Sequence, residues 1–263
     1  MHNADQFRDR VVLVVGAATG MGRSTAKEFA AAGATVVCGD VNPAVHDVYR
    51  EDVEGAGVRG FATKIDVTSY DSCTAAVNET VDKFGRLDVL VNLAGIIQVA
   101  HDVETLPEAE WDRVVDVNLK GQFLMAKAAV GHFKQQRSGR IILISSIWGR
   151  EGWPYFSAYC ASKGGLIMFI HALAKEMVEF GVTVNGVAPG MINTELHQKS
   201  LRDEAEARGW TYEAVRDKEW SKIPMGYAGD PVDITHGIMY LASDEARYVT
   251  GTNLDVNGGI MMR

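Results

Sequence analysis

Val11–Val15 is an unbroken run of apolar residues, four of the five β-branched, with no polar position to mark a wet face. Such a run predicts a strand buried on both sides, as in a parallel sheet covered by helices. Similar runs recur at Thr35–Cys38, Val58–Ile65, Leu87–Asn92, Arg140–Ser145 and Val182–Ala188, with a shorter one at Thr252–Val256. Between them the apolar positions take a helical period, over Arg23–Ala32, Ser72–Phe84, Pro107–Phe133, Tyr159–Phe180 and Pro231–Ala242. Strands and helices alternate with no linker between them. The pattern therefore predicts a single α/β domain over residues 1–263: a Rossmann-like, doubly wound parallel sheet of about seven strands with helices on both faces. One stretch breaks the pattern. From Thr194 to about Met225 the chain is rich in Glu, Arg and Lys yet carries Trp210, Tyr212 and Trp220, and it reads as an irregular lid at about 191–225.

Charge and cysteine content narrow the function classes. A formal net charge of −8 argues against a nucleic-acid or anionic-membrane partner. No apolar run is long enough to span a membrane, and Met1–Arg10 is polar, with no signal-peptide core. Cys38, Cys73 and Cys160 are odd in number and widely spaced, which suits reduced thiols in a cytoplasmic protein better than a disulfide framework or a zinc site. The seven His show no HExxH or paired-ligand spacing, so metal-dependent alcohol chemistry is disfavoured and no metal is expected.

The candidate chemistry sits at strand ends. Val15 runs into Gly16-Ala17-Ala18-Thr19-Gly20-Met21-Gly22 and then into a helix. Strand, glycine turn and helix bring backbone N–H groups against a pyrophosphate, although a glycine cluster can also be no more than a tight turn. Asp40 lies 18 residues after Gly22, at the end of the next strand, where a carboxylate meets the adenosine ribose hydroxyls and repels a 2′-phosphate. Small residues follow Asn92 at Ala94 and Gly95, and would let a cofactor approach the backbone. Asn118 interrupts an apolar helical stretch; it is either a satisfied core amide or an anchor for a water chain. Tyr159 and Lys163 sit four residues apart, on one face of a helix. A free phenol has a pKa of about 10, and a neighbouring ammonium pulls it towards working pH, which suits an acid/base pair.

In this order the glycine turn, Asp40, the Asn92 segment, Asn118, Ser146, Tyr159 and Lys163 resemble the short-chain dehydrogenase/reductase family in its ~250-residue form, from Val11 to Gly259. The resemblance implies NAD-dependent interconversion of a secondary alcohol and its ketone. Tyr159 would be the proton donor/acceptor and Ser146 would orient the substrate oxygen. Lys163 would lower the tyrosine pKa and hold the nicotinamide ribose, and Asn118 would anchor a proton-relay water. The cofactor would lie along Gly16, Thr19, Gly20, Met21, Gly22, Asp40, Val41, Asp66, Val67, Asn92, Ala94 and Gly95. It would end at Tyr159, Lys163, Pro189, Gly190, Ile192 and Thr194. Substrate would meet Ser146, Trp148, Trp153, Tyr159 and His197, with Tyr155, Arg150, Glu151, Trp210, Tyr212 and Trp220 as further candidates for the pocket wall. The resemblance also implies a homotetramer built on the helices carrying Phe123, Leu124, Leu166, Phe169 and Ile170. The lid is loosely similar to those of acetoin reductases and sugar-alcohol dehydrogenases, so the expected substrate is a small polyol, hydroxyketone or cyclic alcohol. An NADPH-dependent 3-oxoacyl reductase and a non-catalytic dinucleotide-binding regulator are the rival readings. Two positions depart from the family pattern, Val15 for Thr and Leu93 for Asn, and apolar packing is expected to replace the lost hydrogen bonds.

Overall fold

The computed structural model describes residues 5–262, without the side chains of Asp203 and Ala207. The outer limits of the 1–263 domain and the first four residues of Met1–Arg10 lie outside it. Among the described residues the strands are β1 (Val11–Val15), β2 (Thr35–Asp40), β3 (Gly60–Lys64), β4 (Val89–Asn92), β5 (Gly139–Ile144), β6 (Val182–Pro189) and β7 (Asn253–Val256). They form one sheet in the order β3-β2-β1-β4-β5-β6-β7, every pair parallel.

Period-2 alternation explains the unbroken apolar strands. Val12 and Val14 of β1 face one core with α1 (Gly20–Ala31) and α9 (Pro231–Ala242), while Leu13 and Val15 face the other. That second core is packed by α3 (Tyr70–Phe84), α5 (Gly121–Gln136) and α6 (Ser157–Met177), through side chains such as Met125, Phe133, Leu166 and Ile170. Strand order reverses between β1 and β4, so their carboxyl ends flank a crevice, the standard ligand position of an open α/β sheet.

Three segments differ from the sequence expectation. The helix expected over Pro107–Phe133 runs as α4 (Glu108–Val115), a π turn at Asp116–Lys120, and then α5, so Asn118 occupies a locally widened turn. Residues between β2 and β3, with no element expected, form α2 (Val45–Val48), a π turn (Tyr49–Val53) and a short 3-10 turn. The stretch from Thr194 is helical rather than irregular: it forms α7 (Glu195–Arg208) and α8 (Tyr212–Trp220). Thr194 Oγ1 and Thr211 Oγ1 cap these two helices by accepting from the N–H groups of His197 and Ala214. Their charged faces hid the pattern, because among the described side chains only Leu201, Ala205 and Val215, with Tyr212 against them, form an apolar contact between the helices.

Val15 is fully buried and Leu93 packs against the core, as expected of apolar replacements. The exchange is not neutral, however. Val15 and Asn92 are register partners, and the buried Asn92 Nδ2 has no hydrogen-bond partner among the described residues. A hydroxyl at position 15 would stand beside that amide. Val15→Thr should therefore raise the unfolding free energy by about 1 kcal/mol, read from urea midpoints at unchanged slope; a lower midpoint would show the amide satisfied by other means.

Candidate active site

Three glycines shape the crevice, each for a different reason. Gly16, which follows β1, has φ +81, and a Cβ there would lie 2.7 Å from Ala94 N, closing the gap between the β1 and β4 ends. Gly20 starts α1 with φ +53. A Cβ on Gly22 would lie 1.8 Å from Gly16 O, so this residue lets α1 settle onto the turn. The first turn of α1 has no side-chain cap and no acidic residue, leaving its N–H groups free to bind an anion. Asp40 at the end of β2 is held by two backbone donors, Ala18 N to Oδ2 and Asn42 N to Oδ1, each at 2.9 Å. This groove encloses about 380 Å³ and is lined by Thr19, Met21, Val41, Asp66, Val67 and Thr194 together with Asp40 and the glycines. An uncapped helix start, close backbone and a fixed carboxylate together fit a dinucleotide.

A second cavity, of about 280 Å³, continues the first, and Met21, Leu93, Gly95, Ile96, Thr194 and Leu196 line both. Ser146, Tyr159 and Lys163 converge on its floor, and Pro189, Gly190 and Ile192 form one side. Ser146 follows β5 and caps a 3-10 turn (Ile147–Gly149) by accepting from Trp148 N at 3.2 Å. Lys163 is buried on α6 and donates from Nζ to Ile144 O at 2.7 Å, with Nζ 5.7 Å from the Tyr159 ring centroid. A Cβ on Gly149 would meet the Lys163 backbone at 2.7 Å, and one on Gly95 would lie 3.6 Å from Lys163 Nζ. Asn118 lines neither cavity. Its Oδ1 accepts from Ile96 N and its Nδ2 donates to Ile96 O, both at 2.8 Å, which fixes the wall that Ile96 and Ile97 present to the cavity. Asn92 is likewise buried beneath the groove and shapes it by accepting from Ala94 N at 3.1 Å.

Aromatic rings close the far side. Trp148 stacks on Trp153 at 5.3 Å and meets Tyr159 edge-on at 5.9 Å. Helices α7 and α8 add Leu196, His197, Ser200, Glu204 and Glu219. Lys222, just past α8, pairs with Glu219 at 2.7 Å and lies 5.6 Å from the Trp153 ring centroid, tying lid to body.

Six of the expected wall residues lie elsewhere. Tyr155 is largely exposed, and Trp210 is half-exposed under Arg208 and Lys218. Tyr212 packs between the lid helices, and Arg150 turns to β7, pairing with Asp255 at 3.3 Å. Glu151 is exposed, and Trp220 lies beside Arg216. Gln98 and Gln122 are buried polar side chains on which this wall depends, and neither was anticipated. Gln122 Nε2 donates to Ala94 O at 2.9 Å.

The model of the family described as "Enoyl-(Acyl carrier protein) reductase" matches residues 16–261. The 3-oxoacyl-[acyl-carrier-protein] reductase FabG of Thermotoga maritima is 38% identical over 98% of this chain and 100% of its own length. The 2,5-dichloro-2,5-cyclohexadiene-1,4-diol dehydrogenase LinX of Sphingobium indicum is 37% identical over 97% and 98%. Among solved structures, a variant of actinorhodin polyketide ketoreductase with NADPH superposes with a TM-score of 0.91 at 29% identity, over 99% of each chain. The chain belongs to the short-chain dehydrogenase/reductase family.

As a short-chain dehydrogenase/reductase it is an oxidoreductase of the alcohol/carbonyl couple that binds a nicotinamide dinucleotide. Its electrostatics revise one expectation. The Tyr159 phenol is pushed up, not down: burial is the main cause, opposed by the hydrogen bond with Ser146. Burial also pushes the Lys163 ammonium down, to about 8. His197 is held below the ordinary histidine value by burial, with Glu219 opposing, so its imidazole is neutral at pH 7. Among the described residues its Nε2 has no hydrogen-bond partner.

The Lys163 shift has a consequence for stability. An ammonium whose folded-state pKa of about 8 lies below its ordinary 10.5 costs stability below pH 8, and that cost is relieved as pH rises from 8 towards 10.5. Wild-type stability relative to Lys163→Met should therefore rise by roughly 3 kcal/mol between pH 7 and pH 10, measured by urea unfolding without cofactor. A constant difference would show that Lys163 stays charged throughout.

Proposed function

We propose that the protein oxidises small hydroxylated secondary alcohols (polyols, hydroxyketones or cyclic alcohols) to ketones with NAD. The observation that carries the cofactor choice is the charge at the groove end. Asp40 lines it, and Arg23, just after the glycine turn, is already held by Asp52 at 2.7 Å and Glu51 at 2.8 Å. A 2′-phosphate would meet a fixed carboxylate there.

A nicotinamide dinucleotide held in the groove would supply the hydride acceptor. Tyr159, as phenolate, takes the proton from the substrate hydroxyl. Ser146 donates to the same oxygen and steadies its developing charge. Lys163, anchored on the Ile144 carbonyl, would favour the phenolate and would hold the cofactor ribose. Asn118, with both amide atoms bonded to the Ile96 backbone, keeps the wall at Ile96 in place.

The cavity supports the substrate class. Its aromatic wall takes an apolar face, and His197, Ser200 and the two lid acids offer polar groups to a second hydroxyl or carbonyl. A relative that acts on a cyclic diol agrees with this. The similarity to FabG and to a ketoreductase carrying NADPH favours the alternative, an NADPH-dependent 3-oxoacyl reductase.

One panel separates the two. Secondary alcohols, vicinal diols, polyols, a steroid alcohol and a 3-hydroxyacyl thioester are offered with NAD and with NADP at alkaline pH. NAD should be preferred by at least ~10-fold, diols or polyols should turn over, and Asp40→Ala should narrow the cofactor gap. Equal use of both cofactors contradicts the role of Asp40; inert polyols with an active thioester or steroid contradict the substrate class.

A further inference from the structure

The catalytic helix lacks a cap of its own. Phe156, at the N-cap of α6, has no side-chain acceptor, and the next residues with free N–H groups are Ser157, Ala158 and Tyr159. Gln98, from the loop after β4, fills the gap. Its Oε1 accepts from Ala158 N at 2.9 Å and from Tyr159 N at 3.2 Å, the second and third N–H groups of the helix, which an N-cap side chain normally serves. Its Nε2 donates to Tyr155 O at 3.0 Å, and His101 N donates to the same carbonyl at 3.1 Å. Tyr155 has φ +70, an uncommon conformation for a non-glycine residue, and two donors to its carbonyl hold it there. Gln98 is 2% exposed and sits behind the wall made by Ile96 and Ile97, so it meets the substrate only through other residues. Two residues before it, the Asn118 amide clamps Ile96.

We propose that Gln98 is a positioning residue for Tyr159. It ties the first turn of the catalytic helix and the Tyr155 bend to the loop that continues the cofactor wall, and so sets where the phenol stands relative to Ser146 and Lys163. This rests on the reading of Tyr159 as the acid/base.

The test is a single-turnover measurement of hydride transfer to NAD, with the best alcohol of the panel. Its rate constant does not depend on the fraction of active protein. Gln98→Leu removes all three hydrogen bonds at similar volume and should slow the step at least ~10-fold, with NADH affinity within about 2-fold of wild type. Gln98→Glu is the conservative rescue and the safeguard against misfolding. Its carboxyl keeps an acceptor for both N–H groups, ionised or not, and two such donors favour the ionised form, which loses only the donor to the Tyr155 carbonyl. The rate constant of Gln98→Glu should therefore lie between those of wild type and Gln98→Leu. A rate constant for Gln98→Leu within 2-fold of wild type, or one for Gln98→Glu no higher than that of Gln98→Leu, would overturn the proposal. If Tyr159→Phe leaves the step unslowed, the acid/base reading fails and this inference with it. If Tyr159→Phe abolishes the step while Gln98→Leu does not slow it, only this inference fails.

Discussion

The constraint on which the site depends is the buried ammonium of Lys163. Its hydrogen bond to the Ile144 carbonyl fixes α6 against the end of β5, and every neighbour makes room for that approach. Gly149 has no side chain because the Lys163 backbone would occupy its place, and Gly95 leaves space beside both Lys163 Nζ and Asn118 Oδ1. The same close packing puts Ser146, Tyr159 and the groove end within one trough. Burial is also what makes the site responsive. It destabilises the charged form of the lysine and the ionised form of the tyrosine alike, so both are sensitive to any charge that enters the trough.

The sheet and the groove were legible in the sequence because their signals are local. A valine run, a glycine turn and an Asp at the next strand end each act through residues close in the chain. The tyrosine and lysine were legible for the same reason, one helical turn apart. Gln98 and Gln122 were not, because their partners lie 60 and 28 residues away. Each is a lone amide in an apolar stretch, the same signal that drew attention to Asn118. The lid failed differently. Its helices are stabilised by caps and charge pairs, such as Glu204 with Arg208, and bury only a narrow apolar seam. The two threonine caps were visible and would have corrected the reading.

The Tyr159 pKa direction was the other miss. Counting charges along a helix gives the sign of the ammonium's effect and omits burial, which is the larger cause here. At Val15 a similar omission hid a cost: the apolar exchange packs well, yet it leaves the amide of its register partner Asn92 unpaired. In both cases the surroundings of the group, and not the group alone, decided the outcome.

On the proposed reading, Tyr159 is an acid/base group whose ionisation is held back by burial and released by positive charge in the trough. Ultraviolet difference titration of the phenols, with Tyr159→Phe as the blank, measures this directly in the free protein and with saturating NAD, whose oxidised nicotinamide ring is cationic. The account predicts that the one phenol missing from the variant titrates above the ordinary tyrosine range in the free protein and at lower pH with NAD bound. An unchanged or higher titration point with NAD would contradict it.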